Sequence, residues 1–416
     1  MAPVNHHLPL SGTGPRRWGW DLVLTVLLAT GAIVKIEPAP FDLLAALLIP
    51  IALLTRRLRL STSLLLPLAL LGLFLVANVF SFAGAVSLAG AARFEAITVY
   101  LVGLWLLLVG LLHDAERSPE PGGSSRRFHA IMRGWSIAAV SCGLLGIATS
   151  FGLLPLGSIM LHYGRLEGFF KDENVFGAWC VPICVYAIAR LVALRGGRRW
   201  WWLATLVIGA LVVLLTYSRG AWINLALSAA VFYILRLVSV GSPRSKIITI
   251  AALPLAITAL GVALFEVLSM DAVQDMLETR LKMQSYDTHR FATQEEAVRA
   301  ALEHPLGIGP GQSELVFERA AHSTYVRSLV ENGFLGFLSL VAFMALSGAR
   351  AAWYAVDALD DEQQLLFAVV AGAMAGLLVE SLVIDSIHWR HFFVVLALAW
   401  LPCRGGALRR RRGATR

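Results

Sequence analysis

The sequence predicts an all-α polytopic membrane protein, and three observations lead to that fold class. Hydrophobic residues make up 57% of the 416-residue chain, whereas charged residues make up only 15%. The apolar residues form repeated runs close to bilayer length, separated by short charged links, as expected of membrane-spanning helices. These runs lack the period-two alternation of a barrel strand, so helices are the remaining way to satisfy the backbone in lipid.

We predict about twelve transmembrane helices, of which the second and the last are short. They are expected at 19–35, 41–55, 60–80, 94–112, 135–156, 174–193, 200–217, 221–240, 247–268, 328–349, 364–383 and 387–403. No small-residue cleavage site follows the first apolar run, so we expect a retained span rather than a cleaved signal. The predicted organisation is helices 1–9 with short loops (1–268), a long polar loop (269–327), and helices 10–12 with a basic tail (328–416).

Lys and Arg are unevenly divided between the two sides of the predicted membrane. The side that holds both termini carries most of them, in clusters such as 56–59 and 409–412. Basic residues favour the cytoplasmic side, so both termini are predicted to be cytoplasmic and the polar loop to lie outside. The net charge of +8 then reflects topology, and we expect membrane lipids rather than nucleic acid as partners.

Four polar residues that are far apart in the sequence fall on the predicted outer face: Arg165, Arg219, Arg290 and His322. Arg219 lies in a tight turn at the edge of two spans, where a charge tends to face a cavity or an anionic ligand. Arg165 lies in a link that mixes both charge signs, so a salt bridge and a functional role are equally open. Arg290 begins a polar helix and could instead pair with a lipid headgroup or a local acid.

The polar loop contains two amphipathic helical segments, at 271–284 and 290–303, followed by the glycine turn (residues 304–311, His-Pro-Leu-Gly-Ile-Gly-Pro-Gly). The glycine turn lacks the Lys-Ser/Thr pair and the preceding strand of a P-loop. We therefore favour a compact turn that returns the chain to the membrane over a phosphate cradle. His322 begins the segment that re-enters the membrane, where neighbouring arginines would keep its ring neutral and able to accept a proton.

No histidine–carboxylate cluster has the spacing of a metal site, and no nucleophile elbow is present. We therefore predict no metal and no cofactor. His388 and His391 are rival candidates for a functional histidine, although an aromatic-rich interface with Trp389 is the simpler interpretation for both.

The chain resembles the O-antigen ligase and polymerase superfamily of bacterial envelope glycosyltransferases over roughly residues 160–340. The order and spacing of several short motifs carry the resemblance, at 165–177, 217–221, Arg290 with 304–311, 322–325 and 331–336. Within the superfamily the chain most resembles an O-antigen ligase. The resemblance implies transfer of a glycan from undecaprenyl diphosphate to lipid A–core oligosaccharide at the periplasmic face of the bacterial inner membrane.

The resemblance further implies a metal-independent, inverting enzyme with a fold akin to the C-type membrane glycosyltransferases. Carried over by residue, Arg219 and Arg290 would hold the diphosphate, Arg165 would assist, and His322 would act as the base. Lys171, Ser323 and Tyr325 are candidate supporting residues. The family's usual Asn after the histidine is Ser323 here, which could alter the orientation of the imidazole or acceptor.

Three other functions stay open at this point. An O-antigen polymerase would share the same site chemistry but use a second lipid-linked glycan as acceptor. A protein O-oligosaccharyltransferase is less favoured because such relatives usually carry additional periplasmic sequence. A secondary transporter would also have about twelve spans, but it would place its ionisable residues near the bilayer midplane, whereas the candidates here cluster at one face.

Overall fold

The computed structural model describes residues 19–116, 122–193, 197, 199–239, 246–247, 250, 261, 265, 267–282, 285–317 and 322–403. In chain order the helices are α1 (Gly19–Ala29), α2 (Pro40–Leu54), α3 (Leu65–Ser81), α4 (Leu88–Ala115), α5 (Gly123–Ser150), α6 (Gly157–Met160), α7 (Glu173–Ala193), α8 (Arg199–Leu215), α9 (Arg219–Ser239), α10 (Asp271–Leu281), α11 (Ser285–Glu303), α12 (Ser313–Val316), α13 (Thr324–Asp357), α14 (Asp361–Glu380) and α15 (Arg390–Leu398). Two-residue strands β1 (Leu161–His162) and β2 (Arg165–Leu166) form an antiparallel hairpin.

Seven of the described helices are long and apolar enough to cross a membrane: α3 with its preceding 3-10 turn, α4, α5, α7, α9, α13 and α14. Helices α1, α2 and α8 are apolar but shorter. The predicted class, an all-α polytopic membrane protein, is confirmed. The predicted ninth span, 247–268, lies largely outside the described residues, so the total of about twelve stays a prediction.

The first and last predicted spans are shorter as helices than the apolar runs that predicted them. Helix α1 has 11 residues and α15 has 9, against predicted spans of 19–35 and 387–403. The chain after α1 turns at Thr30–Ile33 and then pairs with Phe169, whose carbonyl accepts hydrogen bonds from the backbone of Val34 and Lys35. Hydropathy alone did not distinguish this buried loop from a continued helix.

The links predicted to face outward meet at one end of the bundle, which we call the outer end. The Nε of Arg165, in the link before α7, donates to the carbonyl of Thr216 between α8 and α9 (2.9 Å). The backbone of Thr324 donates to the carbonyl of Ser381 (2.9 Å), which joins the start of α13 to the loop after α14. We call that loop, residues 381–389, the 381–389 loop.

Helix α13 is broken near its outer end, and the glycine turn fills the break. Gly333 has φ of 68° and ψ of −178° inside the helix. The backbone of Ile308 donates to the carbonyl of Val330 (2.9 Å), and the backbone of Phe334 donates to the carbonyl of Pro305 (3.1 Å). The two segments therefore satisfy each other's backbone groups, which buried structure requires.

A buried carboxylate holds the other side of the glycine turn. Glu331 is 3% exposed and accepts hydrogen bonds from the backbone of Gly311 (2.7 Å) and Ser313 (3.1 Å). It also accepts from the Nε of Arg327, one turn earlier in α13 (3.0 Å). These contacts bear out the interpretation of 304–311 as a compact turn, and they identify the broken helix as its partner.

We expect Gly333→Ala to destabilise the protein by about 2–4 kcal/mol, because an L side chain is strained at this φ and its Cβ would meet the backbone. A Cβ built on Gly333 lies 2.5 Å from the carbonyl carbon of Leu306. Thermal unfolding in detergent measures the effect. Gly72→Ala in α3 is the matched control, since its Cβ would meet nothing within 4 Å; equal Tm values for the two variants would contradict this account.

Candidate active site at the outer end

Arg219 is the first residue of α9 and follows the turn at 216–218. Tyr217 holds a φ of 47° in that turn, a left-handed conformation that is uncommon for a residue other than glycine. The hydroxyl of Ser218 accepts the backbone N–H of Ala221 (3.3 Å) and so caps the helix. Arg219 is thus positioned at a helix N-terminus, where the helix dipole favours an anion.

Arg165 is buried against this turn rather than exposed at the outer end. The residue is 7% exposed, and its guanidinium donates to the carboxylate of Glu173 and to the side chain of Asn174 (3.1 Å). It also donates to the carbonyls of Thr216 (2.9 Å) and Tyr217 (3.5 Å). Of the two interpretations open from sequence, the salt bridge is present. The hydrogen bonds from Arg165 to the carbonyls of Thr216 and Tyr217 stabilise the turn that precedes Arg219.

His322 lies two residues before α13, on a well-anchored segment. Its residue is exposed, and its carbonyl accepts a hydrogen bond from the Nε2 of Gln294 in α11 (3.3 Å). Ser323 is 2% exposed and caps α13, since its hydroxyl accepts the backbone N–H of Val326 (3.4 Å). Serine therefore takes an N-cap position that suits asparagine equally well, so the departure from the family motif keeps this local function.

A hydroxyl network ties the His322 segment to the 381–389 loop. The hydroxyl of Thr324 lies 2.9 Å from that of Ser386, which in turn lies 2.7 Å from the hydroxyl of Ser381. The backbone N–H of Ser386 also donates to the Thr324 hydroxyl (2.7 Å). The hydroxyl of Tyr325 donates to the carbonyl of Leu378 (2.9 Å), so Tyr325 anchors α13 to α14.

The same region connects the histidine to the arginine turn. A Cβ on Gly220, the residue after Arg219, would lie 3.1 Å from both Glu380 and Ile384. Thr324, two residues after His322, donates to the carbonyl of Ile384 through its hydroxyl (3.1 Å). The segments that carry Arg219 and His322 therefore pack against the same short stretch of chain.

Arg290 is the sixth residue of α11, and only its backbone belongs to the described part of the chain. It lies one helical turn before Gln294, the residue that contacts the His322 carbonyl. Positions four apart share a helix face. The backbone of α11 thus brings position 290 to the same end of the bundle as Arg219 and His322.

Lys171 is half exposed and forms an ion pair with Glu37 in the link between α1 and α2. The hydrogen bond and the positive charge of Lys171 lower the pKa of the Glu37 carboxyl below its ordinary value. Lys171 therefore joins two outer links of the molecule.

The sequence analysis missed an acidic cluster around Arg327. Besides Glu331, its guanidinium contacts Asp385 (2.8 Å) and Glu314 (3.4 Å). The four-residue spacing of Arg327 and Glu331 at the start of a span was a signal for an intrahelical ion pair. The partners Glu314 and Asp385 carried no such signal, because they come from other segments of the chain.

A second missed residue is Glu380, at the end of α14. It is 2% exposed, and its Oε2 accepts a hydrogen bond from the Nδ2 of Asn224 in α9 (2.6 Å). This bond holds α14 against the first two turns of α9. Across the described ranges, no group of three or more His, Cys, Asp or Glu is arranged to hold a metal ion.

We expect Arg165→Ala to lower stability by about 3–5 kcal/mol, because it leaves the buried Glu173 carboxylate without its cation. The Tm in detergent should fall accordingly, since the 216–218 turn also loses the hydrogen bonds from Arg165. Arg299→Ala is the matched control, because that arginine forms only an exposed pair with Glu295. An Arg165→Ala protein as stable as the Arg299→Ala protein would contradict the bracing role.

Comparison with known proteins agrees with this geometry. The family model described as O-antigen ligase matches residues 204–341, from α8 to the middle of α13. The matched segment includes Arg219, Arg290 and His322, whereas Arg165 and Lys171 precede it. No curated protein matches the chain. The matched segment, about a third of the chain, supports membership in the O-antigen ligase superfamily.

Proposed function

We propose that this protein is a glycosyltransferase that moves O-antigen glycan from undecaprenyl diphosphate to lipid A–core oligosaccharide. The reaction takes place at the periplasmic face of the bacterial inner membrane, with both termini in the cytoplasm. The observation that carries the proposal is the packing of the Arg219 and His322 segments against residues 380–384. Family membership supports the general chemistry, and this packing supports the specific pairing of clamp and base.

Arg219 and Arg290 form the diphosphate clamp in this proposal. A guanidinium binds phosphate oxygens bidentately and stays charged at any physiological pH. The dipole at the N-terminus of α9 adds to the attraction for an anion at Arg219. Both effects stabilise the negative charge that develops as the glycosidic bond to the diphosphate breaks.

His322 is the general base. The acceptor is a neutral sugar hydroxyl, which attacks the anomeric carbon from the face opposite the diphosphate, so the anomeric configuration inverts. The hydroxyl proton passes to the imidazole as the new bond forms and undecaprenyl diphosphate leaves. Because Ser323 and Thr324 anchor the backbone next to His322, the residue starts from a fixed backbone position, which helps the orientation that such catalysis needs.

Arg165, Ser323 and Tyr325 serve as positioning residues. The guanidinium of Arg165 is committed to protein acceptors, so it assists the clamp by fixing the 216–218 turn rather than by binding phosphate. Lys171 supports the outer links through Glu37. Both proposed substrates are lipids, which accounts for a site at the edge of the membrane.

The decisive test is in vitro transfer by the purified protein from undecaprenyl-diphosphate glycan to alternative acceptors. Lipid A–core oligosaccharide should accept the glycan, while a second lipid-linked glycan should not. If only the lipid-linked glycan is extended, the protein is a polymerase rather than a ligase. Transfer to neither acceptor would overturn the proposal.

His322→Ala should lower the rate of transfer by about a hundredfold to ten-thousandfold, the usual contribution of a general base. The variant should insert and unfold like the wild type, because it keeps the hydrogen bond between the His322 carbonyl and Gln294. His304→Ala is the matched control, an exposed histidine at the start of the glycine turn. Normal lipopolysaccharide ladders from His322→Ala in a ligase-null strain would remove it as the base.

Exhaustive chelation should leave transfer intact, because the proposed mechanism assigns charge stabilisation to arginines rather than to a divalent cation. The measurement compares initial rates before and after treatment with EDTA. Loss of activity that Mg²⁺ or Mn²⁺ restores would contradict the metal-independent mechanism.

A further inference from the structure

The polar loop carries an apolar surface that the interior of the protein leaves uncovered. Near the glycine turn, four apolar side chains are between 44% and 70% exposed: Leu302, Leu306, Leu315 and Val316. We call these four side chains the outer apolar patch. Apolar side chains exposed as a group mark a contact with a membrane or with another protein. The proposed mechanism uses none of the four.

On one side the outer apolar patch adjoins the part of α13 that faces lipid. The backbone N–H of Phe334 donates to the carbonyl of Pro305 (3.1 Å), the residue before Leu306. Phe334 and Leu338 are 39% and 60% exposed, and they belong to a helix that is long and apolar enough to span a membrane. The patch therefore continues, toward the outer end, the apolar surface of a membrane-spanning helix.

On another side the outer apolar patch adjoins the link between α3 and α4. The side chain of Gln312 accepts the backbone N–H of Ser87 (2.8 Å) and donates to the carbonyl of Ser87 (3.3 Å). Val86 and Leu88, the two neighbours of Ser87, are 73% and 64% exposed. The backbone N–H of Leu315 donates to the carbonyl of Gln312 (2.9 Å). Exposed apolar residues of the α3–α4 link thus flank the same hydrogen-bonded joint as the patch.

The length of α13 places the glycine turn relative to a bilayer. Trp353, near the opposite end of α13, is 62% exposed, and exposed tryptophans concentrate at the boundary between lipid and water. A helix crosses the hydrocarbon core with about 20 residues, which counted from Trp353 ends at Gly333. The break at Gly333, and the glycine turn that fills it, therefore lie at the outer boundary of the hydrocarbon core.

Helix α3 gives the same position independently. With its preceding and following 3-10 turns it forms an apolar segment of 23 residues, Thr62–Gly84, which is enough to cross the core. A Cβ built on Gly84, the last residue of that segment, would lie 2.6 Å from the carbonyl oxygen of Gly307. The outer end of this second span therefore meets the glycine turn directly.

Charged and polar residues beside the patch limit how deep it can lie. Glu303, His304 and Glu314 are exposed next to Leu302, Leu306 and Leu315 in the sequence. Such side chains are costly in the hydrocarbon core, whereas at the interface they reach headgroups and water while apolar neighbours enter the acyl chains. The mixture is typical of an interfacial segment.

We infer that residues 302–316 are seated in the outer edge of the lipid bilayer, with the outer apolar patch in contact with acyl chains of the outer leaflet. The sequence assigned all of 269–327 to a loop outside the membrane, so this inference moves its C-terminal part to the interface. The inference does not depend on the proposed reaction.

The seat would fix the height of the candidate site above the bilayer. Leu302 belongs to α11, the helix whose Gln294 donates to the carbonyl of His322 (3.3 Å). Leu306 lies in the glycine turn, which is hydrogen-bonded to α13 just after His322. Lipid contact at the patch therefore holds the two elements that border the histidine.

The test reads the surroundings of single labelled positions in the full-length protein in phosphatidylcholine nanodiscs, where both faces meet the buffer. A bimane fluorophore is attached at Leu306→Cys or at Leu315→Cys in a Cys403→Ser background, because the three other native cysteines are buried. Lipids brominated along their acyl chains should quench both labels about threefold more strongly than a label at Glu296→Cys. Glu296 is the matched control, since it is exposed on a different face of α11 from Leu302.

Iodide in the buffer should give the opposite order, with the strongest quenching at Glu296→Cys. A Tm equal to that of the Cys403→Ser parent verifies the fold of each variant, and either patch position is sufficient for the test. Iodide quenching at both patch positions as strong as at the control would place the patch in water and overturn the inference. Protection of both patch labels from bromine and iodide alike would show that protein covers the patch, from a second copy or another partner, and would overturn it too.

Discussion

The outer end of this protein depends on one constraint: the broken backbone of α13 at Gly333 must find hydrogen-bond partners close to the membrane. In apolar surroundings an unpaired N–H or C=O group costs several kcal/mol. The glycine turn meets this requirement, since Ile308 and Gly309 donate to the carbonyls of Val330 and Glu331. Only glycine fits where the two backbones cross, so the turn and the break require each other.

The rest of the site follows from that joint. Glu331 fastens the far side of the glycine turn and pairs with Arg327, which reaches Asp385 in the 381–389 loop. The hydroxyl network of Thr324, Ser381 and Ser386 closes the same loop onto the start of α13. The backbone of a histidine two residues before this anchored start has little freedom to move, as a base held against a lipid-borne sugar requires.

Hydropathy and charge placement predicted the membrane class, most helices and the gathering of the polar residues at one end, because each depends on local sequence. The sequence could not show whether Arg165 stabilises the 216–218 turn or binds phosphate, because its acceptor Thr216 lies 51 residues away. The contact between the glycine turn and the broken helix α13 could not be predicted for the same reason. The last span was predicted to be short, but α15 is shorter than the predicted 387–403, because a buried half-helix and a membrane span share the same apolar composition.

The central claim, that the 381–389 loop holds the histidine segment in place beside the arginine turn, can be tested by disulfide trapping. Thr324→Cys and Ser386→Cys would be combined after replacing the four native cysteines, Cys142, Cys180, Cys184 and Cys403. The two hydroxyl oxygens, whose places the cysteine sulfurs would take, are 2.9 Å apart, so the account predicts that the two thiols meet. Mass spectrometry of mildly oxidised membranes should find the cross-linked peptides in most molecules. Two free thiols that react with maleimide but never with each other would contradict the account.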